Sequence, residues 1–276
     1  MIPAPFDYAR AESVDHAIEL LSDNDEAKII AGGHSLLPLM RLRLARPPML
    51  VDISRIGDLG YIREDGSQVA IGALARHHDV ANSEALRELA PIVAYAASLI
   101  GDPQVRHLGT IGGSSAHADP ASDMPTVLLA LGADLVIRGP KGKSRTVTAA
   151  DFFKGLFEPD LASNEVLSEI RVPKTTGRGW SYLKFHRRAQ DWAIVGVAAL
   201  AGDGAGPAVA LTNMGEKPLR AAGVEQAVAG GADPATAAQR ADEGTSPPSD
   251  TFGSAEYRKE LSKVLVRRAL EEALSR

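Results

Sequence analysis

The chain has 276 residues, 45% of them hydrophobic, which is enough for one large or two modest domains with a substantial core. Thirty basic against 35 acidic residues leave a formal charge of −5, which argues against a nucleic-acid platform that works by phosphate neutralisation. With no cysteine the chain can hold no disulfide, no cysteine-ligated zinc and no conventional iron–sulfur cluster, so any electrons it handles must sit on an organic cofactor.

The start Met1-Ile2-Pro3-Ala4-Pro5-Phe6-Asp7 has neither a basic stretch nor a long apolar one. Nowhere do about eighteen apolar residues run uninterrupted, so the expectation is a soluble, cytoplasmic protein without a membrane segment. Residues 13–21 put Val14, Ala17, Ile18 and Leu21 on one helical face, and Lys28-Ile29-Ile30-Ala31 reads as a short buried strand. That strand runs into Ala31-Gly32-Gly33-His34-Ser35-Leu36. Residues 36–44 are apolar with Arg41, Arg43 and Arg46 projecting as a solvated face, a minority use of which is partner docking. Strand 49–53 then closes a βαβ-like subdomain of about 55 residues.

Residues 68–73 read as a strand, and 85–100 as a long apolar-faced helix broken at Pro91. A second glycine segment follows, Gly109-Thr110-Ile111-Gly112-Gly113-Ser114-Ser115, and then a short helix over 124–131. Strand 134–138 pairs with 145–148 across the turn 139–144, and 166–172 alternates as a half-buried strand. From Gly179 the character changes to three strand-like runs, 180–186, 192–201 and 207–213, so a second domain begins near residue 176. Helical stretches 221–229 and 234–241, a loop over 243–250 and a terminal helix over 255–274 complete the chain. That last helix places Leu261, Val264, Leu265, Ala269 and Leu270 on its apolar side. No repeat of fixed period is present.

Glycine pairs permit φ > 0 and let a bulky anion approach the main chain, and neither glycine segment contains Lys or Arg. Backbone N–H groups must therefore hold any anion, with Ser hydroxyls and helix N-termini assisting, which suits a pyrophosphate gripped from two sides. Standard signatures fail on spacing. There is no G-x-G-x-x-G, position 137 is Ile where a P-loop needs its first glycine, position 37 is Leu where a nucleophile elbow needs glycine, and H-E-x-x-H is absent. The histidines are scattered: His77-His78 reads as a solvated helix start, and His34 and His117 as loop hydrogen-bonders rather than metal ligands. No catalytic acid, base or metal set stands out, and Asp119 and Asp123 are separated by Pro120.

Taken with Gln104-Val105-Arg106, Ala116-His117-Ala118-Asp119-Pro120-Ala121-Ser122-Asp123, Tyr182-Leu183-Lys184-Phe185 and Ser254-Ala255-Glu256-Tyr257-Arg258, the two glycine segments resemble the FAD-binding medium subunit of molybdenum hydroxylases, the aerobic carbon monoxide dehydrogenase and xanthine dehydrogenase family. The resemblance spans almost the whole chain. It implies an α+β protein: a two-subdomain flavin-binding domain of the vanillyl-alcohol oxidase and cell-wall reductase type over 1–175 (subdomains about 1–55 and 56–175), then a small domain over 176–276 with a three-stranded sheet and helices. It further implies an FAD in this chain and, on partners, a molybdopterin large subunit and a small subunit with two [2Fe-2S] clusters, assembled as a dimer of heterotrimers. Electrons would pass from those clusters to the flavin and on to a quinone, NAD or dioxygen.

The cofactor-binding residues so implied are Ala31, Gly32, Gly33, His34, Ser35, Leu36, Thr110, Ile111, Gly112, Gly113, Ser114, His117, Asp119, Asp123, Leu167, Lys184 and Trp192. The two glycine segments would hold the pyrophosphate and neighbouring sugar oxygens. Asp123 would accept from a sugar hydroxyl or, on its residue type alone, cap the helix at Met124. Lys184 would reach the flavin or its phosphates, or stand as an ordinary exposed lysine. Trp192 takes the place of a more usual Tyr before the isoalloxazine, against the bland reading of a core tryptophan. Pro159-Asp160 and Thr251-Phe252 depart from the family's usual residues. Two rival readings are a free-standing FAD-dependent reductase or oxidase, and a non-redox nucleotide-binding regulatory subunit.

Overall fold

The computed structural model describes residues 2–202, 204 and 206–276. In chain order its elements begin with β1 (Asp7–Arg10), α1 (Val14–Asp23), β2 (Lys28–Ile30), α2 (Leu36–Arg41) and β3 (Met49–Asp52). The three strands form a parallel sheet in the order β1-β3-β2, with α1 and α2 making the two crossovers. Ser13 caps α1 by accepting from the His16 N–H at 3.1 Å, and Val14, Ala17, Ile18 and Leu21 are buried as their spacing predicts.

Next come β4 (Ile62–Asp65), β5 (Gln68–Gly72), α3 (His77–Asn82), α4 (Glu84–Leu89), α5 (Pro91–Ser98), α6 (Pro103–Leu108), α7 (Ile111–His117), α8 (Asp123–Leu131), β6 (Asp134–Arg138), β7 (Ser144–Thr148), α9 (Ala149–Phe152), β8 (Phe153–Gly155), β9 (Glu158–Pro159) and β10 (Val166–Pro173). Five of these strands make an antiparallel sheet ordered β4-β5-β10-β6-β7. The break at Pro91 and the pairing of 134–138 with 144–148 match the sequence reading.

The last part holds β11 (Gly179–Phe185), β12 (Val195–Ala201), β13 (Ala208–Thr212), β14 (Leu219–Arg220), α10 (Ala222–Ala229), α11 (Pro234–Ala238) and α12 (Ala255–Ser275). Its sheet has four strands, not the expected three, because the two residues Leu219 and Arg220 pair with β13. Every residue of β12 is buried, since α8 covers one face of the sheet and α12 the other. α8 is correspondingly buried all round, with Met124, Val127 and Leu128 joining Ile170, Ala198 and Ala210 in one core. Leu265, Val266, Ala269 and Leu270 of α12 close a second core with Val197 and Leu211, while Val264, expected on that face, is exposed. Among the described residues no helix is long and apolar enough to cross a membrane.

Candidate functional site

Strand β2 delivers the first glycine segment to the mouth of α2. Gly33 has φ +73°, in the left-handed region where a side chain is strained. A Cβ on Gly32 would lie 2.3 Å from the Leu108 carbonyl oxygen and 2.8 Å from Gly109 Cα, so its missing side chain is what lets the two glycine segments touch. Ala31 sits beside Gly113, 4.0 Å from where a Cβ there would be. Among the described residues, none of the backbone N–H groups of 32–36 donates to a protein acceptor. The Ser35 hydroxyl makes no capping bond, and His34 is exposed. Five consecutive donors with no Cβ over two of them suit a diffuse anion such as a pyrophosphate.

The second glycine segment differs from the loop expected of it. Asp102, followed by Pro103, caps α6, and Thr110 caps α7, so Gly112 and Gly113 lie in the first turn of a helix. Its N–H groups are already spent: Ile111 donates to Ala75 O at 3.0 Å, Gly112 to Ala73 O at 2.9 Å, Gly113 to Thr110 Oγ1 at 3.0 Å and Ser114 to Thr110 O at 3.0 Å. Gly112 serves packing, because a Cβ would fall 2.5 Å from Ala73 Cβ. Beside Ala31 the start of α7 carries the bare, exposed Gly113 and the half-buried Ser114. The two segments, expected as equivalent loops, are thus unequal: one keeps N–H donors without protein acceptors and the other is a helix start.

Asp123 and Lys184, expected to reach outward, bind one another. Lys184 Nζ donates to Asp123 Oδ2 at 2.9 Å with both side chains buried (4% and 7% exposed). The Tyr182 hydroxyl donates to Oδ1 at 2.6 Å, and Lys184 also reaches the Leu99 carbonyl at 3.4 Å. Lys184 is thus no exposed lysine. Asp123 does not cap its helix either, because it is the first residue of α8 and Ser122 holds the cap position. Burial pushes the Asp123 carboxyl up, with Lys184 the strongest opposing influence, and burial together with Asp123 raises the Tyr182 hydroxyl well above its ordinary range. Three buried polar groups thereby tie α8 to β11, supported nearby by Thr212 donating to Thr126 at 2.8 Å.

Leu167 is packed into the core of the five-stranded sheet beside a bulge in β10. His117 ends α7 with its ring 5.0 Å from that of Phe157, and burial pushes its imidazole down. Asp119 Oδ1 accepts from the Ala121 N–H at 2.8 Å. Trp192 is neither a core residue nor the start of a strand: β12 begins at Val195, and Trp192 is a 58%-exposed loop residue beside Asp119 in one cleft. No group of three or more His, Asp or Glu side chains placed to hold a metal occurs among the described residues.

One residue beside the cradle escaped the sequence reading. His77, expected as a solvated helix start, is 4% exposed, lies against Gly109 and leaves its Nδ1 without a partner. Burial, then the neighbouring Arg106, lowers its pKa from 6.5 to about 4. The unfolded chain takes up this proton below pH 6.5 and the folded chain only below about 4, so stability falls as pH drops across that window. The total is about 3 kcal/mol. In denaturant titrations His77→Leu should flatten that acid limb, and an unchanged limb would contradict the assignment.

Residues 4–175 match the family described as FAD binding domain in molybdopterin dehydrogenase, and residues 180–273 match CO dehydrogenase flavoprotein C-terminal domain. The chain is 42% identical to the carbon monoxide dehydrogenase medium chain of Hydrogenophaga pseudoflava, over 100% of this chain and 99% of that one. It is 40% identical to the glyceraldehyde dehydrogenase medium chain of Sulfolobus acidocaldarius, over 99% of each. Among solved structures, carbon monoxide dehydrogenase from Hydrogenophaga pseudoflava superposes with a TM-score of 0.96 at 43% identity, covering 100% of this chain and 99% of that one.

Proposed function

This chain belongs to the FAD-binding medium subunits of the molybdenum hydroxylases, and on that premise we propose that it takes electrons from iron–sulfur clusters of a partner subunit and delivers them to an external acceptor. The observation that carries this reading is the row of unspent N–H donors at 32–36 set through Gly32 against the end of α6 and Gly109, just before α7. These residues fit FAD. The donors of 32–36 hold its pyrophosphate, the hydroxyls of Ser35, Thr110 and Ser114 reach neighbouring oxygens, and Gly113 leaves room beside Ala31. Ile111 and Gly112 contribute by holding α7 against Ala73. His34 stands on the same loop, His117 and Asp119 are assigned to the cofactor from the family motif, and Trp192 would cover one face of the ring system. When bound, FAD supplies the exchange of electrons between one-electron and two-electron partners.

Asp123 and Lys184, with Leu167 in the core, act on this site by position: they fix the start of α8 and the strand leading into the Trp192 loop. We further assign 1–175 to a flavin domain of the vanillyl-alcohol oxidase and cell-wall reductase type, with subdomains about 1–55 and 56–175, and 176–276 to a second domain. The expected partners are a molybdopterin large subunit and a small subunit with two [2Fe-2S] clusters, as a dimer of heterotrimers. Affinity purification of the tagged chain from the cells that make it should bring down two further polypeptides together with molybdenum and iron. A chain recovered alone that turned over a substrate would favour a free-standing flavoenzyme.

A further inference from the structure

Neither glycine segment carries a cation, and Lys184, the basic residue that the resemblance sends to the flavin or its phosphates, is paired with Asp123. A pyrophosphate held at 32–36 would therefore gain from a positive charge brought in from outside both segments. Arg76 stands where that charge is wanted. Strand β5 ends at Gly72, and the chain runs on through buried Ala73, Leu74 and Ala75 to Arg76, which precedes α3 in extended conformation (φ −71°, ψ 148°). Its extended backbone pairs with the second glycine segment. The His77 N–H donates to Gly109 O and the Ile111 N–H to Ala75 O, both at 3.0 Å, which sets Arg76 opposite Thr110 in an antiparallel bridge. Side chains of a facing pair emerge on the same side. The long side chain of Arg76 accordingly lies along this segment, and its Nη1 donates to the Leu108 carbonyl oxygen.

That oxygen is also the atom on which Gly32 closes, so the guanidinium sits one contact away from the row of N–H donors at 32–36. A carbonyl accepts a hydrogen bond from Arg76 without cancelling its charge, and among the described residues no carboxylate forms an ion pair with it. Arg138, Arg145, Arg171 and Arg258, by contrast, each face a carboxylate. Arg76 is half-buried, which leaves its charge only partly screened by water. A planar guanidinium with N–H groups to spare matches phosphate oxygens in both charge and geometry. We infer that Arg76 is an FAD-binding residue whose guanidinium pairs with the pyrophosphate held by 32–36, an assignment that rests on the function proposed above. The hydrogen bond to Leu108 aims the guanidinium at the point where the two segments meet.

The test is fluorimetric titration of the full-length chain, stripped of flavin, with FAD at several salt concentrations. Arg76→Gln keeps an N–H donor for the Leu108 carbonyl but removes the charge, and should weaken FAD about tenfold at low salt. Arg76→Lys keeps the charge and should recover most of that loss. The gap between wild type and Arg76→Gln should narrow as salt is raised from about 0.05 M to about 0.5 M, because a half-buried charge is partly screened. Equal FAD affinity in wild type and Arg76→Gln would overturn the inference. So would a gap that salt leaves unchanged, or an Arg76→Lys chain no better than Arg76→Gln, since either would make Arg76 a brace for Leu108 rather than a partner of the phosphates. A folded wild-type chain that bound no FAD at any salt concentration would sink the proposed function itself, and this inference with it.

Discussion

Lys184→Met is expected to cost about 3–5 kcal/mol of stability, the ordinary penalty for leaving a buried ion without its partner. Its ammonium is buried and faces Asp123 at 2.9 Å, and no other cation among the described residues forms an ion pair with that carboxylate. The sign of the pH dependence follows. Burial already raises the Asp123 carboxyl, and removing Lys184 takes away the strongest influence opposing it. A carboxyl whose folded pKa lies above its unfolded value stabilises the fold when protonated and loses that contribution as pH rises through the folded pKa. The deficit of Lys184→Met should therefore shrink as pH is lowered, and adding Asp123→Leu should restore part of it by removing the uncompensated charge. Urea unfolding of the two variants checks both statements. A deficit that did not depend on pH would mean that the pair is not the cause.

Gly32→Ala should separate the two halves of the cradle. The new Cβ would meet the Leu108 carbonyl oxygen at 2.3 Å and Gly109 Cα at 2.8 Å, and both are backbone atoms that cannot swing aside as a flexible side chain would. Overpacking of this kind typically costs about 1–3 kcal/mol. It also displaces 32–36 from the junction between α6 and α7, so FAD retention should drop at least about tenfold. His34→Ala, at an exposed position on the same loop, should leave stability nearly unchanged and serves as the control. Unchanged FAD retention in Gly32→Ala would show that the contact between the segments is dispensable.

Much of this architecture is written in local pattern. The periodicity of 14–21, the Pro91 break and the 134–148 hairpin each follow from spacing within a short stretch of chain, and each is found in the structure. The four-stranded sheet was hidden because Leu219 and Arg220 are too few to show alternation. The two glycine segments look alike as strings of residues, yet a cap at Thr110 and another at Asp102 turn the second into a helix start. Both caps were readable, since Asp102-Pro103 is a standard opening. The mutual burial of Asp123 and Lys184 was not readable in that way. They lie 61 residues apart and meet only because α8 packs on β11's sheet. His77 carried no signal of burial beyond its residue type, and its ring is enclosed by contacts made around Gly109.

The central claim is that the donors of 32–36 hold FAD. It is tested most directly by an absorption spectrum of the purified wild-type chain, with acid extraction of the chromophore and the same measurement on Gly32→Ala. The account predicts flavin bands near ~370 and ~450 nm, extractable FAD in about equimolar amount, and their loss in the variant. A folded wild-type chain that is colourless and takes up no added FAD would contradict it.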